Sequence, residues 1–226
     1  MSRFILIFVG PPGSGKGTQS DMLGNKLAWP VISTGELLRW HLHHQTDLGK
    51  RAKKYMDAGK LVPDKVVEEL VEHRLAKPDT KQGVIFDGFP RDAKQLTKLF
   101  TILKKTPVLS RAEGDIVWVV EIKVTDKEVI NRLVGRRVCD CGASYHLVYK
   151  PSKKPGICDL CGKKTYLRED DRPKVIHERL KSYKASARPL LTYGKDNDKL
   201  LAFDGNQSIK AVKAEIWQAV KKLVKN

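Results

Sequence analysis

A glycine-rich loop directly behind an apolar run limits the fold of this chain more than any other feature. The run Phe4–Val9 leads into GPPGSGKGT at residues 10–18. Its four glycines carry no Cβ atoms, so the backbone can wrap closely around phosphate oxygens, and the helix that follows aims its N-terminus at the same spot. Lys16 adds a cation for β- and γ-phosphates. The pattern predicts a strand, a phosphate-binding loop and a helix in succession.

The loop departs from the usual motif in one place. Ser or Thr normally follows the lysine, whereas this chain has Gly17 there and Thr18 one position later. Metal coordination by a loop hydroxyl is therefore in doubt. An ordinary glycine-rich turn is the alternative, and it is disfavoured because strand, spacing, lysine and helix all agree with the phosphate loop.

Further apolar or β-branched runs alternate with stretches of helical period. The runs are Phe4–Val9, Val31–Ser33, Gly83–Phe86, Asp115–Val124 and Lys199–Phe203. Such alternation predicts a doubly wound α/β fold, in which crossover helices cover both faces of a parallel sheet. Ligands then bind at the carboxyl ends of the strands.

Composition narrows the possible partners. The 226 residues are 41% hydrophobic, which suits one domain, alone or carrying insertions. With 43 basic and 26 acidic residues the formal charge is +17, which fits nucleic acid, an anionic membrane surface or small polyanions. The lysines are spread along the chain without interleaved aromatic residues, which argues against a single-strand binding groove. The N-terminus shows no cleavage site and no membrane-spanning length, so we expect a cytoplasmic protein.

Four cysteines lie within a helix-poor stretch between Gly135 and Pro173. Cys139, Cys141, Cys158 and Cys161 form a CxC pair and a CxxC pair separated by sixteen residues. This spacing favours a structural zinc site with four thiolate ligands, although the first pair is one residue shorter than an ordinary knuckle. Free thiols, a disulfide, or a three-cysteine site completed by His146 remain alternatives.

An acid and several arginines complete the candidate site. Asp87 ends the apolar run that begins at Gly83, where phosphate-loop enzymes keep a carboxylate for magnesium. Arginines suit bidentate binding of phosphate oxygens. No catalytic base accompanies them, which favours an acceptor that is already ionised, such as a nucleotide phosphate. The arginines are Arg39, Arg91, Arg132, Arg136, Arg137, Arg168 and Arg179.

Several motifs, in this order, resemble the adenylate kinase family in its long form with a cysteine-bearing lid. They are GPPGSGKGTQ, STGELLR from Ser33, GKLVPD from Gly59, DGFPR from Asp87 with Gln95, GRR from Gly135, and REDD from Arg168 with Arg179. The family also carries the displaced threonine. The resemblance implies a P-loop NTPase-like core with a five-stranded parallel sheet at residues 1–32, 63–134 and 172–226, a nucleotide-monophosphate-binding arm at 33–62, and a lid at 135–171.

The resemblance also implies reversible phosphoryl transfer from MgATP to AMP, giving two ADP. ATP would be bound by Gly13, Ser14, Gly15, Lys16, Gly17, Thr18, Arg132 and Arg136. AMP would be bound by Thr34, Arg39, Lys60, Leu61, Val62, Gly88, Arg91, Gln95, Arg168 and Arg179, with Gln95 reading adenine. The catalytic set would be Lys16, Arg91, Arg132, Arg136, Arg168 and Arg179. Asp87 would hold hydrated Mg²⁺, the four cysteines would hold Zn²⁺, and Asp170 and Asp171 would anchor lid arginines or the hinge motion.

Two other functions stay open at this point. A kinase for UMP, CMP or GMP would share most of these motifs, although Thr34 and Gln95 favour adenine. A basic zinc-ribbon protein that binds nucleic acid would explain the charge and the cysteines, but it leaves the phosphate loop and DGFPR without a role. We expect a monomer whose partners are ATP, AMP and ADP, with neither nucleic acid nor a membrane among them.

Overall fold

The computed structural model describes residues 3–105 and 114–225. Its centre is a five-stranded parallel sheet with strand order β2-β3-β1-β4-β7. The predicted α/β fold with five parallel strands is thus confirmed. The strands are β1 (Arg3–Val9), β2 (Val31–Ser33), β3 (Gly83–Asp87), β4 (Asp115–Lys123) and β7 (Leu200–Asp204).

Helices cover both faces of this sheet because its central strand buries side chains in both directions. In β1, Ile5 and Ile7 belong to one hydrophobic core, whereas Leu6 and Phe8 belong to the other. The helices are α1 (Lys16–Leu27), α2 (Thr34–His43), α3 (Asp47–Asp57), α4 (Asp64–Leu75), α5 (Ala93–Lys105), α6 (Asp126–Gly135), α7 (Pro173–Ser186), α8 (Arg188–Asp196) and α9 (Ile209–Lys225). Within the described residues, no helix combines the length and apolar character that crossing a bilayer requires.

The stretch after α6 is built differently from the rest of the chain. Two three-residue strands, β5 (Arg136–Val138) and β6 (Ser144–His146), pair antiparallel. Their small core consists of Tyr145 with Cys139 and Cys158. No α-helix lies between residues 136 and 172, all of which the structure describes, so the predicted helix-poor insertion is confirmed. The domain boundaries given above remain predictions.

The strand register brings distant parts of the sequence to one edge of the sheet. Phe8 of β1 and Ser33 of β2 are both register partners of Asp87, the last residue of β3. The loop after β1, the start of α2 and the residues after β3 therefore meet at the carboxyl ends of the strands. This is the edge where ligands bind in parallel α/β sheets.

Candidate active site

A cleft of about 1930 Å³ opens at the carboxyl edge of the sheet. Single small-molecule sites usually enclose about 300–1,000 Å³, so this cleft has room for more than one ligand. The predicted nucleotide- and Mg²⁺-binding residues that line it are Gly13, Ser14, Gly15, Lys16, Gly17, Thr18, Arg39, Leu61, Asp87, Gly88, Arg91, Arg132, Arg136, Arg168 and Arg179.

The glycine-rich loop spans residues 10–15 between β1 and α1, and glycines allow its shape. Gly13 and Gly15 have φ values of 77° and 93°, in the left-handed region that favours glycine. A Cβ atom on Gly13 would lie 2.8 Å from Cγ of Leu133, so a side chain would also collide with α6. A Cβ on Gly15 would meet nothing within 4 Å. The backbone at Gly15 therefore faces open space at the N-terminus of α1, a position suited to phosphate oxygens.

Lys16 is the first residue of α1, and its side chain folds back over the loop. Its Nζ atom donates hydrogen bonds to the carbonyl oxygens of Gly10 at 2.7 Å and Pro11 at 2.9 Å. Desolvation in the cleft lowers the pKa of Lys16 to about 8; Asp87 opposes this shift, and Arg91 is among the arginines that add to it. The loop thus places a titratable ammonium group beside the helix N-terminus.

Three arginines converge on two adjacent acids. Asp171 is fully buried; it accepts hydrogen bonds from Arg136 at 2.7 and 2.5 Å and from Nη1 of Arg179 at 2.6 Å. Asp170 accepts hydrogen bonds from Arg168 at 2.8 and 2.5 Å. Burial alone would raise the pKa of Asp170, but the guanidinium groups of Arg168 and Arg179 outweigh it and hold this pKa below its ordinary value. Both acids therefore bind arginines, as expected, and their role in a lid stays a prediction.

Arg132 reaches the phosphate loop from the last turn of α6. Its guanidinium group donates to Glu128 at 2.7 Å, to the carbonyl oxygen of Gly205 at 2.8 Å and to that of Ser14 at 3.4 Å. It also lies 6.0 Å from the ring centroid of Tyr149. Arg137 differs from its neighbours: it does not line the cleft, and its Nη1 atom donates to the carbonyl oxygens of Val134 and Arg136.

The predicted AMP residues divide into two groups. Arg39, Leu61, Gly88, Arg91, Arg168 and Arg179 line the cleft. Thr34, Val62 and Gln95 are buried and do not line it, and Lys60 is exposed away from it.

The carbonyl oxygen of Gly88 links this side of the cleft together. It accepts a hydrogen bond from Oγ1 of Thr34 at 3.0 Å and one from Nε of Arg91 at 2.8 Å. Thr34 thus acts on the turn after β3 and, in this structure, does not reach the cleft directly.

Asp87 is well placed for a hydrated cation. Its Oδ2 atom accepts a hydrogen bond from Ser33 at 3.3 Å, and a Cβ atom on Gly17 would lie 3.3 Å from the same oxygen. The carboxylate therefore sits beside the first turn of α1. Desolvation, followed by the charges of Glu36 and Asp87, raises the pKa of Asp21 to about 6. Asp87 and Asp21 both carry carboxylate oxygens, the type of ligand that Mg²⁺ prefers, directly or through water.

The four cysteines form a compact set of sulfur atoms. Their Sγ atoms all lie within 4.8 Å of one another, with 3.4 Å between Cys139 and Cys161 and 3.5 Å between Cys141 and Cys158. A tetrahedral zinc site with Zn–S bonds of about 2.3 Å needs sulfur atoms about 3.8 Å apart, so the shortened CxC pair still fits. The hydroxyl of Tyr145 lies 3.4 Å from Sγ of Cys158 and lowers the pKa of that thiol to about 6. The thiolate is the form that binds metal.

The histidines lie outside this set. Nδ1 of His146 accepts hydrogen bonds from the backbone N–H groups of Val148 and Tyr149. The His41–His44 stretch forms no metal-binding group with other described residues; His44 stacks on Trp40, and His43 contacts Asp140.

Comparison with known proteins decides the family. The model of the family described as "Adenylate kinase" matches residues 8–199. The chain belongs to the adenylate kinase family. An adenylate kinase of Caldicellulosiruptor saccharolyticus is 44% identical over 216 residues, covering 95% of this chain and 98% of the relative. Adenylate kinases of Methanothrix thermoacetophila (43%) and Archaeoglobus fulgidus (42%) each cover 96% of this chain and 98% of their own length.

Sequence reasoning missed two contacts in this adenylate kinase. Asp64 was part of a quoted motif but received no role, and it hydrogen-bonds Gln95 across 31 positions. His43 contacts Asp140 across the cleft. No local pattern signals either pair, since both contacts arise only when separate helices and loops pack together.

Proposed function

We propose that this adenylate kinase transfers the γ-phosphoryl group of MgATP to AMP, giving two ADP, and that both nucleotides occupy the one cleft. The observation that carries this proposal is the arrangement of the cleft. This one cleft is lined by the phosphate loop, by Arg39 and Arg91 of the AMP side, and by the arginines that Asp170 and Asp171 anchor.

On the ATP side, the backbone of residues 13–18 and the ammonium group of Lys16 would bind the phosphates, together with Arg132 and Arg136. The open backbone at Gly15 and the start of α1 at Lys16 support this assignment. Lys16 would exchange its bonds to the carbonyl oxygens of Gly10 and Pro11 for bonds to phosphate oxygens.

On the AMP side, Arg39, Arg91, Arg168 and Arg179 would bind the α-phosphate. Gly88 and the backbone of residues 60–62 would line the nucleoside pocket, with Thr34 bracing the turn at Gly88, and Gln95 would read the base. Gln95 is buried in this structure beside the turn that follows β3, where its Oε1 atom accepts a hydrogen bond from the backbone N–H of Arg91. That turn carries the Gly88 carbonyl group, which Thr34 and Arg91 already hold in place.

The phosphoryl group would pass between two anions, so charge neutralisation and alignment are the main requirements. Lys16, Arg91, Arg132, Arg136, Arg168 and Arg179 would supply the positive charge. No side chain needs to act as a general base, since the accepting phosphate oxygen is already ionised. Closure of residues 135–171 over the cleft would exclude water and prevent hydrolysis of ATP.

Two metals fit the residues present. Mg²⁺ would arrive with ATP and be held through water by Asp87; when bound, it neutralises phosphate charge. Zn²⁺ would be held by Cys139, Cys141, Cys158 and Cys161 as a structural ion, because four sulfur ligands leave no open position for chemistry. It would stabilise a segment whose own hydrophobic core is very small.

The remaining parts of the proposal concern the setting of the enzyme. We infer a cytoplasmic monomer whose partners are ATP, AMP and ADP. The formal charge of +17 would serve to attract these small polyanions, and neither nucleic acid nor a membrane is required as a partner.

The test is product formation from purified protein. ADP should form from MgATP plus AMP and not from MgATP alone, and AMP should be preferred over UMP, CMP and GMP. The Arg136→Ala variant should lose about 10³-fold or more of the turnover, as expected for an arginine that neutralises a transferring phosphoryl group. The Arg137→Ala variant is the matched control, because Arg137 is adjacent in sequence but does not line the cleft. Equal turnover of the two variants would overturn the assignment of Arg136.

A further inference from the structure

Two neighbours hold the side-chain amide of Gln95 in one orientation, since one donates a hydrogen bond to it and the other accepts one from it. Its Oε1 atom accepts a hydrogen bond from the backbone N–H of Arg91 at 2.9 Å, and its Nε2 atom donates one to Oδ1 of Asp64 at 2.7 Å. The side chain is 2% exposed, so water does not compete with these bonds. The backbone N–H of Gln95 is also bound, to Oδ1 of Asp92 at 2.9 Å.

A flipped amide would oppose both neighbours. The NH₂ group would then face the N–H of Arg91, which can only donate, and the carbonyl oxygen would face the carboxylate of Asp64, which can only accept when ionised. In the observed orientation, each amide atom keeps one further hydrogen-bonding position, one N–H on Nε2 and one lone pair on Oε1. These two positions form a fixed donor–acceptor pair.

The order of that pair matters for recognition of a purine. Adenine presents an amino donor beside a ring-nitrogen acceptor. Guanine and hypoxanthine present an oxo acceptor beside a ring N–H donor. A glutamine amide that could flip would match either edge, whereas an amide locked in one orientation matches only one of them.

We propose that Asp64 is the positioning residue that sets base specificity: by fixing the amide of Gln95, it makes the acceptor pocket favour a 6-amino purine over a 6-oxo purine. This inference rests on the proposed function, in which Gln95 reads the base of the acceptor nucleotide. Asp64 is the first residue of α4, and Pro63 precedes it, so its backbone is held by the helix and by the restricted proline. Its Oδ1 atom accepts the hydrogen bond from Nε2 of Gln95, so its effect on the base would pass through Gln95.

IMP is the sharpest probe, because it differs from AMP only at the 6-position and the neighbouring ring nitrogen. The experiment measures kcat/KM for AMP and for IMP, each with MgATP, in the unmodified protein and in Asp64→Asn. The substitution keeps the size of the side chain but allows the group at position 64 to donate as well as accept. The ratio of the AMP value to the IMP value should fall about tenfold, since the charge-assisted hydrogen bond that opposes a flipped amide is lost.

Asp47→Asn is the matched control. Asp47 is the first residue of α3, as Asp64 is of α4, but its side chain is 98% exposed and does not contact Gln95. This control should show the same small loss of helix stability and an unchanged AMP-to-IMP ratio. Asp64→Ser is a second test variant, because serine is well tolerated in a first helical turn and also removes the carboxylate.

The outcomes separate the two proposals. If the unmodified protein does not phosphorylate AMP, the proposed function fails, and the inference falls with it. If AMP is phosphorylated but neither Asp64 variant changes the AMP-to-IMP ratio, the positioning role alone is wrong. An equal loss for AMP and IMP would also overturn it, since that result is what a purely structural role predicts.

Discussion

His43 and Asp140 join the two segments that border the cleft. Nε2 of His43, in α2, lies 3.2 Å from Oδ2 of Asp140, which stands between two of the clustered cysteines. Both side chains are partly exposed, at 50% and 34%, so the pair can contribute only about 0–1 kcal/mol. The contact nevertheless connects the proposed arm to the proposed lid.

We therefore expect Asp140→Asn to weaken AMP binding by at most about fivefold, because 1 kcal/mol corresponds to that factor. Calorimetry on Asp140→Asn, His43→Gln and the double variant would measure the coupling between the two residues. High salt should reduce any difference. Losses that simply add in the double variant would show that the contact does not assist closure.

Lys16 should make the activity of the enzyme fall at high pH. Its pKa is lowered to about 8, so its positive charge is present below pH 8 and disappears as the pH rises through that value. The profile of kcat/KM for MgATP reports the free enzyme and should fall above about pH 8. The control is Lys16→Arg, whose guanidinium stays charged; its activity is lower, but its profile should stay flat through this range. A basic limb that is identical in both proteins would rule out Lys16 as its source.

Asp171 should matter for stability as well as for activity. It is fully buried and binds both Arg136 and Arg179, so Asp171→Asn would leave Arg136 without its counter-charge and Arg179 with that of Asp170 alone. We expect a loss of about 3 kcal/mol in the free energy of unfolding, measured with urea. Glu169→Gln is the control from the same turn, because Glu169 is 62% exposed and pairs with the exposed Arg172. A loss no larger than that of the control would show that Asp171 does not hold the arginines.

Much of the fold and the loop could be predicted because the signals are local. The expected strands agree with the structure to within one residue at each end; β7, for example, spans Leu200–Asp204 where 199–203 was expected. The loop at residues 10–18, the acid at the end of β3 and the cysteine spacing are likewise short patterns that one element or turn specifies.

The rest depends on contacts between distant elements. The sequence indicated that Asp170 and Asp171 bind arginines, but not that Asp171 binds Arg136 and Arg179 while Asp170 binds Arg168 and also contacts Arg179. The strands β5 and β6 read Arg-Arg-Val and Ser-Tyr-His, so no apolar run marks them in the sequence. Gln95 was predicted to read adenine, but its bonds to Asp64 and Arg91 follow only from the packing of α4 against the turn before α5.

The cysteine cluster makes a direct prediction about metal. Purified protein should contain about one equivalent of zinc, as a structural four-cysteine site requires. A strong chelator should lower the melting temperature by several degrees, because metal binding contributes to folding. Cys158→Ser should lose both the metal and the chelator effect. Protein that contains almost no zinc and keeps its melting temperature in chelator would remove the metal from the proposal.

The central claim is that one cleft holds ATP and AMP end to end. Two adenosines bridged by five phosphates imitate both nucleotides at once, and calorimetry gives the number of molecules bound and the competition with each nucleotide. We expect one molecule per chain, displaced by ATP at one end and by AMP at the other. If the mimic does not bind, or if AMP fails to compete with it, the two nucleotides do not share this cleft and the proposal is wrong.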